Sequence, residues 1–249
     1  MVGLLIIFAI VMEFIDSFLG MMYGTVLSPL LILMGYNAKA VVPSILISQA
    51  VGGFIASWRH HKFNNADFSR GTLDRKVTLI IVGFGMFASV IGVYVSVLIS
   101  AKALNTYIAV LVIAIALLIF CRRTFILTSA RIFVLGFISA FNKALSGGGF
   151  GPLVAGGQLV FKDRKEKGAI GSTDFAEAPI CLFSFLLWVW AKGFPDWWLS
   201  IPLCIGAAIG GFFGPKALSK ITSQKKLKFT LAILILIEGV WVLWKVWLK

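Results

Sequence analysis

The chain has 249 residues, of which 59% are hydrophobic and 13% are charged, and its mean hydropathy is +0.97. Soluble domains carry about 25% charged residues, so this composition excludes a soluble protein and predicts an all-α protein in a lipid bilayer. The net charge of +13 does not indicate a nucleic-acid partner, because the basic residues lie in short loops between apolar spans, as cytoplasmic loops do.

The chain divides into apolar segments at 3–18, 24–36, 40–57, 77–99, 103–120, 130–141, 151–161, 168–190, 198–215 and 228–248. We interpret the first as a retained membrane segment, because it has no basic n-region or small-residue cleavage site. The segments at 77–99, 103–120, 168–190 and 228–248 are long enough to cross the bilayer. Those at 24–36, 130–141 and 151–161 are short, since twelve helical residues reach about 18 Å of a hydrocarbon core of about 30 Å.

Most lysines and arginines lie in the loops at 59–76, 121–131, 161–168 and 215–228. These loops are therefore predicted to be cytoplasmic, and both chain termini external. With these sides, the segments 130–141 and 151–161 form a hairpin that leaves the cytoplasm and returns to it. The first two segments form the matching hairpin from outside.

The chain is thus predicted to be a polytopic transmembrane bundle of two inverted-topology repeats, at 1–124 and 125–249. Each repeat is a broken helical hairpin followed by three crossing helices, a build typical of secondary transporters. Short internal similarities support the repeat. Phe18–Gly24 resembles Leu145–Gly151, Pro43-Ser44 resembles Gly171-Ser172, and 104–120 resembles 227–243 in pattern.

The least helix-like stretch is Gly147-Gly148-Gly149-Phe150-Gly151-Pro152. Irregular backbone is tolerated at membrane depth only where protein or a cavity covers it, and its N–H groups beside a helix N-terminus can hold an oxyanion. The alternative is that the glycines only allow close helix packing. The predicted substrate-binding residues are Asp16, Gly20, Gly24, Ser44, Ser48, Gln49, Asn142, Lys143, Ser146, Gly147, Gly148, Gly149, Gly151, Ser172 and Thr173.

Ionisable side chains inside apolar segments are costly and by default functional. Six fall there: Glu13, Asp16, Lys143, Asp174, Glu177 and Glu238. Glu238, near the external end of its segment, is instead expected to reach toward the interface or to pack. Asp174 and Glu177 lie three residues apart, on one helix face, and are the candidates for coupling transport to protons. The alternative is that Asp174 caps a helix that starts later. Asp16 could pair with Lys143 across the repeats.

No cofactor and no metal site are predicted. Cys121, Cys181 and Cys204 are scattered, and His60 and His61 are placed in a basic loop. Neither an HExxH nor a GxSxG motif occurs, which argues against an intramembrane enzyme, and no Walker motif indicates an ATPase. An anion channel and a non-transporting scaffold remain open as alternatives to a transporter.

The two half-motifs resemble the TauE/SafE family of sulfite and organosulfonate exporters. The resemblance is carried by Asp16–Pro29 with Pro43-Ser44, and by Ser146–Pro152 with Gly168–Thr173, while Met21-Met22 stands where the family has glycines. It implies transport of a small sulfur oxyanion or organosulfonate across a bacterial or archaeal plasma (inner) membrane. A proton as coupling ion and a homodimer are compatible with it.

Overall fold

The computed structural model describes residues 2–96, 100–120, 125–162 and 164–247. The predicted all-α class is confirmed, and each predicted apolar segment corresponds to one helix of the described chain. In chain order the helices are α1 (Val2–Leu19), α2 (Tyr23–Leu33), α3 (Ala38–Lys62), α4 (Leu73–Val95), α5 (Ala101–Phe120), α6 (Ser129–Ser146), α7 (Phe150–Leu159), α8 (Glu166–Lys192), α9 (Trp197–Ser219) and α10 (Gln224–Trp247).

Six helices of the described chain are long and apolar enough to cross a membrane: α1, α3, α4, α8, α9 and α10. Their outward faces carry large apolar side chains such as Phe87 and Tyr94 on α4 and Ile237 on α10. Polar side chains, in contrast, are collected in the interior. A protein with this distribution is stable in lipid rather than in water, and the chain is an integral membrane protein.

Two predicted boundaries are wrong. The segment 130–141 was expected to be short, but α6 continues to Ser146 and has 18 residues, the same length as α1. It continues because Asn142 and Lys143 are fully buried against other helices, where polar side chains are accommodated. The prediction that His60 lies in a loop is also wrong, since α3 runs through it to Lys62.

The helices pack in pairs that correspond between the two halves. Helix α1 packs along α9 as α6 packs along α4, and α3 packs on α9 as α8 packs on α4. Two further pairs, α3 with α8 and α5 with α10, join the halves to each other. The predicted boundary between repeats, at residue 124, lies outside the described residues, and the inverted topology stays a prediction.

Glycines on α9 bring α1 into close contact. A Cβ atom added at Gly206, Gly210 or Gly214 would lie 2.6, 2.6 or 2.7 Å from a backbone oxygen of α1. Glycine every fourth residue removes side chains from one helix face, which allows the two backbones to approach. The position of α1, and with it the acidic side chains that α1 carries, is therefore set by α9.

Candidate functional site

Two helix breaks of the same shape form the centre of the site. The first separates α1 from α2, where Gly20 has φ +78° and Met22 has φ +105°. The second separates α6 from α7, where Gly147 and Gly149 have φ +75° and +78°. Both pairs of positions are 127 residues apart in the chain, as are the motifs Phe18–Gly24 and Leu145–Gly151. The internal sequence similarity therefore corresponds to a shared backbone conformation.

The two breaks pack directly on each other. The backbone N–H of Gly149 donates to Thr25 Oγ1 at 3.1 Å, and the Ser28 hydroxyl lies 3.4 Å from the carbonyl oxygen of Ser146. A Cβ atom at Gly151 would lie 2.5 Å from the carbonyl oxygen of Gly20, so only glycine fits there. Gly24 similarly packs against the backbone of Gly147.

The backbone donors expected to bind an oxyanion are engaged within the protein. The N–H of Gly147 bonds to the Lys143 carbonyl, that of Gly148 bonds to Ser146 Oγ at 3.2 Å, and that of Gly149 bonds to Thr25. Ser146 Oγ in turn donates to the carbonyl of Asn142 at 2.9 Å. An anion would bind these groups only by replacing the present bonds.

Four side chains form a continuous hydrogen-bonded chain beside the breaks, which we call the central tetrad: Asp16, Gln49, Lys143 and Glu177. Gln49 Nε2 donates to Asp16 Oδ2 at 3.3 Å, and Lys143 Nζ donates to Gln49 Oε1. The Lys143 ammonium also pairs with Glu177 Oε1 at 2.7 Å. The expected direct pairing of Asp16 with Lys143 is therefore replaced by a link through the Gln49 amide.

Asp16 has a second role at the start of α2. Its Oδ1 accepts a hydrogen bond from the backbone N–H of Tyr23 at 2.9 Å. This N–H is the first of α2 and has no partner within the helix, and a negative charge there is favoured by the helix dipole. Asp16 thus binds the start of α2 across the first break, and it is also the terminal member of the tetrad.

Asp174 lies within α8 and is not a cap. Helix α8 begins at Glu166, two turns earlier, so the interpretation as an interfacial cap is wrong. Asp174 Oδ2 lies 2.9 Å from His60 Nε2 on α3, and Asp174 Oδ1 has no hydrogen-bond partner among the described residues. Glu177 occupies the same face one turn later, where it contacts Lys143.

Acidic groups outnumber basic ones at the centre. Glu13 interacts electrostatically with the other three carboxyl groups and with Lys143, and its Oε1 accepts from the Ser17 hydroxyl at 3.3 Å. All are buried, Asp16 being the most exposed at 4%. If all were ionised, three negative charges would be uncompensated. Burial of uncompensated charges is very unfavourable, and Lys143 can neutralise only one of the four carboxylates.

Several predicted residues lie outside the tetrad. Ser48 accepts from the Tyr23 hydroxyl at 2.8 Å, and Ser44 bonds to Ser200 on α9 at 2.8 Å. Ser172 and Thr173 belong to a separate cluster around Arg164 and Gln158. Of the predicted substrate residues, Asn142 is distinctive, because it is fully buried and both atoms of its amide lack a partner within the described part of the chain.

A cluster around Arg164 is not evident from the sequence. The Arg164 guanidinium pairs with Asp74 at 2.6 Å and donates to Gln158 Oε1 at 2.6 Å and to Ser172 Oγ at 2.9 Å. Burial lowers the pKa of this guanidinium, and the Asp74 carboxylate acts in the opposite direction. In the sequence Arg164 is one of four basic residues in a loop, and nothing distinguishes it from the exposed ones.

The burial of His60 is not evident from the sequence either, since its neighbour His61 is an ordinary surface residue. His60 is fully buried, whereas the side chain of His61 is half exposed. The signal that could have found it is the helical period of α3, since Gly53, Ser57 and His60 share one face. Among the residues that the structure describes, no three His, Cys, Asp or Glu side chains are placed to hold a metal ion.

The geometry combines broken helices, buried carboxyl groups and a buried ammonium inside a bundle that spans a membrane. The family model for the sulfite exporter TauE/SafE matches residues 4–242, nearly the whole chain. No curated protein matches the chain. TauE/SafE proteins are membrane transporters, which points away from an enzyme, and the match covers both breaks and the tetrad. The chain therefore belongs to the TauE/SafE family.

Proposed function

We propose that the chain is a secondary transporter that moves a small sulfur-containing anion, sulfite or an organosulfonate, across the plasma (inner) membrane by alternating access. The observation that carries this proposal is the meeting of two broken helices beside the buried ammonium of Lys143. The family supplies the class of substrate. Discontinuous helices that meet between two repeats are the usual place for substrate sites in secondary transporters.

The corresponding contacts of the two halves support the inverted repeat on which alternating access depends. The packing of α1 on α9 and of α6 on α4 is related by exchange of the halves. So are the positive φ angles of the two breaks. Rocking of one repeat against the other would expose the tetrad to each side in turn. The basic loops support cytoplasmic sides for 59–76 and 161–168 and external termini.

An anion would enter this site at the expense of an existing ion pair. Lys143 is the one cationic side chain of the tetrad, and Glu177 holds it at 2.7 Å. If the anion forms an ion pair with the Lys143 ammonium, the buried Glu177 carboxylate loses its compensating charge and takes up a proton. Binding of the anion and of a proton would then favour each other, which is the thermodynamic requirement for coupled movement.

The breaks would contribute hydrogen bonds to the same anion. Rotation of the Thr25 and Ser146 hydroxyls would free the N–H groups of Gly149 and Gly148 to donate to the substrate. Several convergent donors suit a trigonal or tetrahedral oxyanion, and Asn142, whose amide has no partner among the described side chains, would add a further donor. Serine and threonine hydroxyls can rotate, so this exchange of partners needs no unfolding of α6 or α7.

The test is flux of labelled sulfite, taurine, sulfoacetate and sulfate into proteoliposomes of the purified protein. We expect saturable flux of one sulfur anion, increased by a proton gradient and lost in Gly148→Leu, whose side chain would enter the contact with Gly24. Glu177→Gln should retain saturable flux but lose its dependence on the proton gradient. Glu166→Gln, at the first residue of the same helix, is the matched control and should behave like the wild type.

Two results would contradict the proposal. Flux that rises linearly with concentration and ignores gradients would indicate an anion channel. No flux of any of the four anions, in protein shown to be folded and inserted, would remove the sulfur-anion substrate class. Unchanged proton dependence in Glu177→Gln would leave the transporter standing and exclude competition between the anion and Glu177 for Lys143.

A further inference from the structure

A buried histidine connects the acidic centre to the loop between α3 and α4. His60 Nε2 lies 2.9 Å from Asp174 Oδ2, and the ring is fully buried. On its other side, His60 Nδ1 lies 3.2 Å from the side-chain amide nitrogen of Asn65. The next residue, His61, is half exposed. Asn65 is buried and lies in the loop close to the exposed residues Asn64 and Asp67, so the contact joins the buried carboxyl groups to a loop at the protein surface.

The hydrogen bonds define which ring nitrogen carries the proton. Asn65 Nδ2 also donates to the Pro215 carbonyl oxygen at 2.8 Å, which fixes the orientation of the amide, because a carbonyl can only accept. In this orientation the same Nδ2 faces His60 Nδ1 as a donor, which favours the tautomer with Nδ1 unprotonated. The proton of the neutral ring is on Nε2, and it is directed at Asp174 Oδ2.

The surroundings of the pair are acidic. Asp174 interacts electrostatically with Glu177 on its own helix and with Glu13 and Asp16 on α1. The Ser17 backbone of α1 forms a further hydrogen bond with the His60 ring, and the Cβ of His60 faces Gly171 of α8. Asp174 is the charged group in direct contact with the ring among the described residues. A proton that leaves Nε2 is therefore attracted toward the centre of the protein.

Two buried side-chain oxygens next to His60 are available to accept further hydrogen bonds. Asp174 Oδ1 and Asn65 Oδ1 both lack a hydrogen-bond partner among the residues described. A half-turn of the Asn65 amide would place its Oδ1 against His60 Nδ1, where it accepts a hydrogen bond if Nδ1 is protonated. The Asn65 side chain can thus accommodate either proton position on the ring, at the cost of its bond to Pro215.

We propose that His60 and Asp174 form a proton-transfer pair that connects the buried carboxyl groups to the loop at 63–72. A proton binds Nδ1 as the Asn65 amide turns, the Nε2 proton passes to Asp174 Oδ2, and the ring remains neutral with its proton on Nδ1. In the reverse direction Asp174 returns a proton to Nε2, Nδ1 releases its proton toward the loop, and the Asn65 amide turns back. This inference rests on the proposed function, because it names the route by which protons that accompany the anion reach the site.

The first test separates net transport from exchange in proteoliposomes. Net anion uptake is recorded together with proton movement by a pH-sensitive dye, and exchange of internal for external labelled anion is recorded at equal pH, where no net proton transfer is needed. His60→Gln should slow net uptake and proton movement by about 100-fold, the usual contribution of a positioned proton carrier, and leave exchange nearly unchanged. His61→Gln is the matched control and should change neither.

A second measurement needs no transported substrate. Infrared spectra of the protein in lipid, taken across a pH series, record the carbonyl stretch of protonated carboxyl groups. Asp174→Asn should remove one band from the set. Asn65→Ala, which removes the donor to Nδ1, should move the titration of that band to lower pH, because the ring then takes up a proton more readily and its positive charge stabilises the Asp174 carboxylate. If His60→Gln does not fold, Asn65→Ala provides the decisive variant.

The outcomes are distinguishable from those of the proposed function. If the wild type moves none of the anions, the sulfur-anion proposal fails, while the infrared titration still decides on the pair. If the wild type transports but His60→Gln shows normal net uptake and proton movement, the pair is not the proton route. An Asp174 band that titrates identically in the wild type and in Asn65→Ala would likewise overturn the inference.

Discussion

The two helix breaks share a backbone shape and differ in chemistry. In the first, the Asp16 carboxylate accepts from the N–H of Tyr23 and so closes the start of α2. The corresponding position in the second break, 127 residues later, is Lys143. There the N–H groups are closed by the hydroxyls of Ser146 and Thr25 instead. One backbone frame thus presents a carboxylate in one half and an ammonium in the other.

The partners of these two residues differ in the same way. Asp16 is bonded to the neutral amide of Gln49 on α3, and Lys143 is paired with the carboxylate of Glu177 on α8. Gln49 and Glu177 are 128 residues apart and occupy corresponding helices. A charged pair in the second half thus corresponds to a carboxyl group with a neutral amide partner in the first.

The largest expected effect comes from removing the ammonium that distinguishes the second half. Lys143→Met leaves Glu177 buried without its partner, which should reduce the free energy of unfolding by about 3–5 kcal/mol. The double variant Lys143→Met with Glu177→Gln should recover most of this loss, since no carboxylate remains uncompensated. Thermal unfolding in detergent measures both.

A single variant as stable as the wild type at neutral pH would mean that the ion pair contributes nothing to the fold. The contrast between the halves would then be a matter of transport alone.

A smaller effect should follow from disturbing the close contact between the two helix breaks. A Cβ atom at Gly151 would lie 2.5 Å from the backbone oxygen of Gly20, and neither backbone can move without separating the two breaks. Gly151→Ala should therefore reduce stability by about 1–3 kcal/mol and abolish flux. Gly83→Ala on α4 is the matched control, because nothing lies within 4 Å of its added Cβ. Equal behaviour of the two variants would show that close contact of the breaks is not needed.

The smallest effect should come from making the first break more like the second. Met22 has φ +105°, a region that side chains rarely adopt and that costs of order 1–3 kcal/mol, whereas the equivalent residue in the second break is Gly149. Met22→Gly should raise the melting temperature by relieving this strain, by about 1 kcal/mol in stability. Met21→Gly should lower it, because Met21 is fully buried. A lower melting temperature in Met22→Gly would show that its side-chain contacts outweigh the strain.

Much of the fold follows from local physical chemistry. Apolar runs of membrane-spanning length predict helices because a backbone in lipid must satisfy its hydrogen bonds internally, and each of the ten predicted segments is a helix. The glycine-rich stretch predicted the second break for the same local reason. The first break was found only through its similarity to the second, since Met21 and Met22 are not residues that interrupt helices.

The sequence alone also identified the ionisable residues that lie inside apolar segments. Asp16, Lys143, Asp174 and Glu177 stood out because a charge within an apolar run is costly whatever its neighbours are. Their partners could not be derived, because pairing depends on which helices meet. Gln49 was expected to bind substrate, and its position between Asp16 and Lys143 appears only when α1, α3 and α6 come together.

The sequence by itself determined the membrane-embedded helical class, the ten segments and the acidic residues, because hydrophobicity and helix breaking are properties of short stretches. Only the tertiary structure decided that His60 is buried while His61 is exposed, and that Arg164 is paired while other basic residues of its loop are not. The first distinction depends on the contact of α3 with α8, and the second on the contact of the loop before α8 with Asp74 of α4. Burial and pairing arise from residues more than 80 positions apart, and no local pattern contains that information.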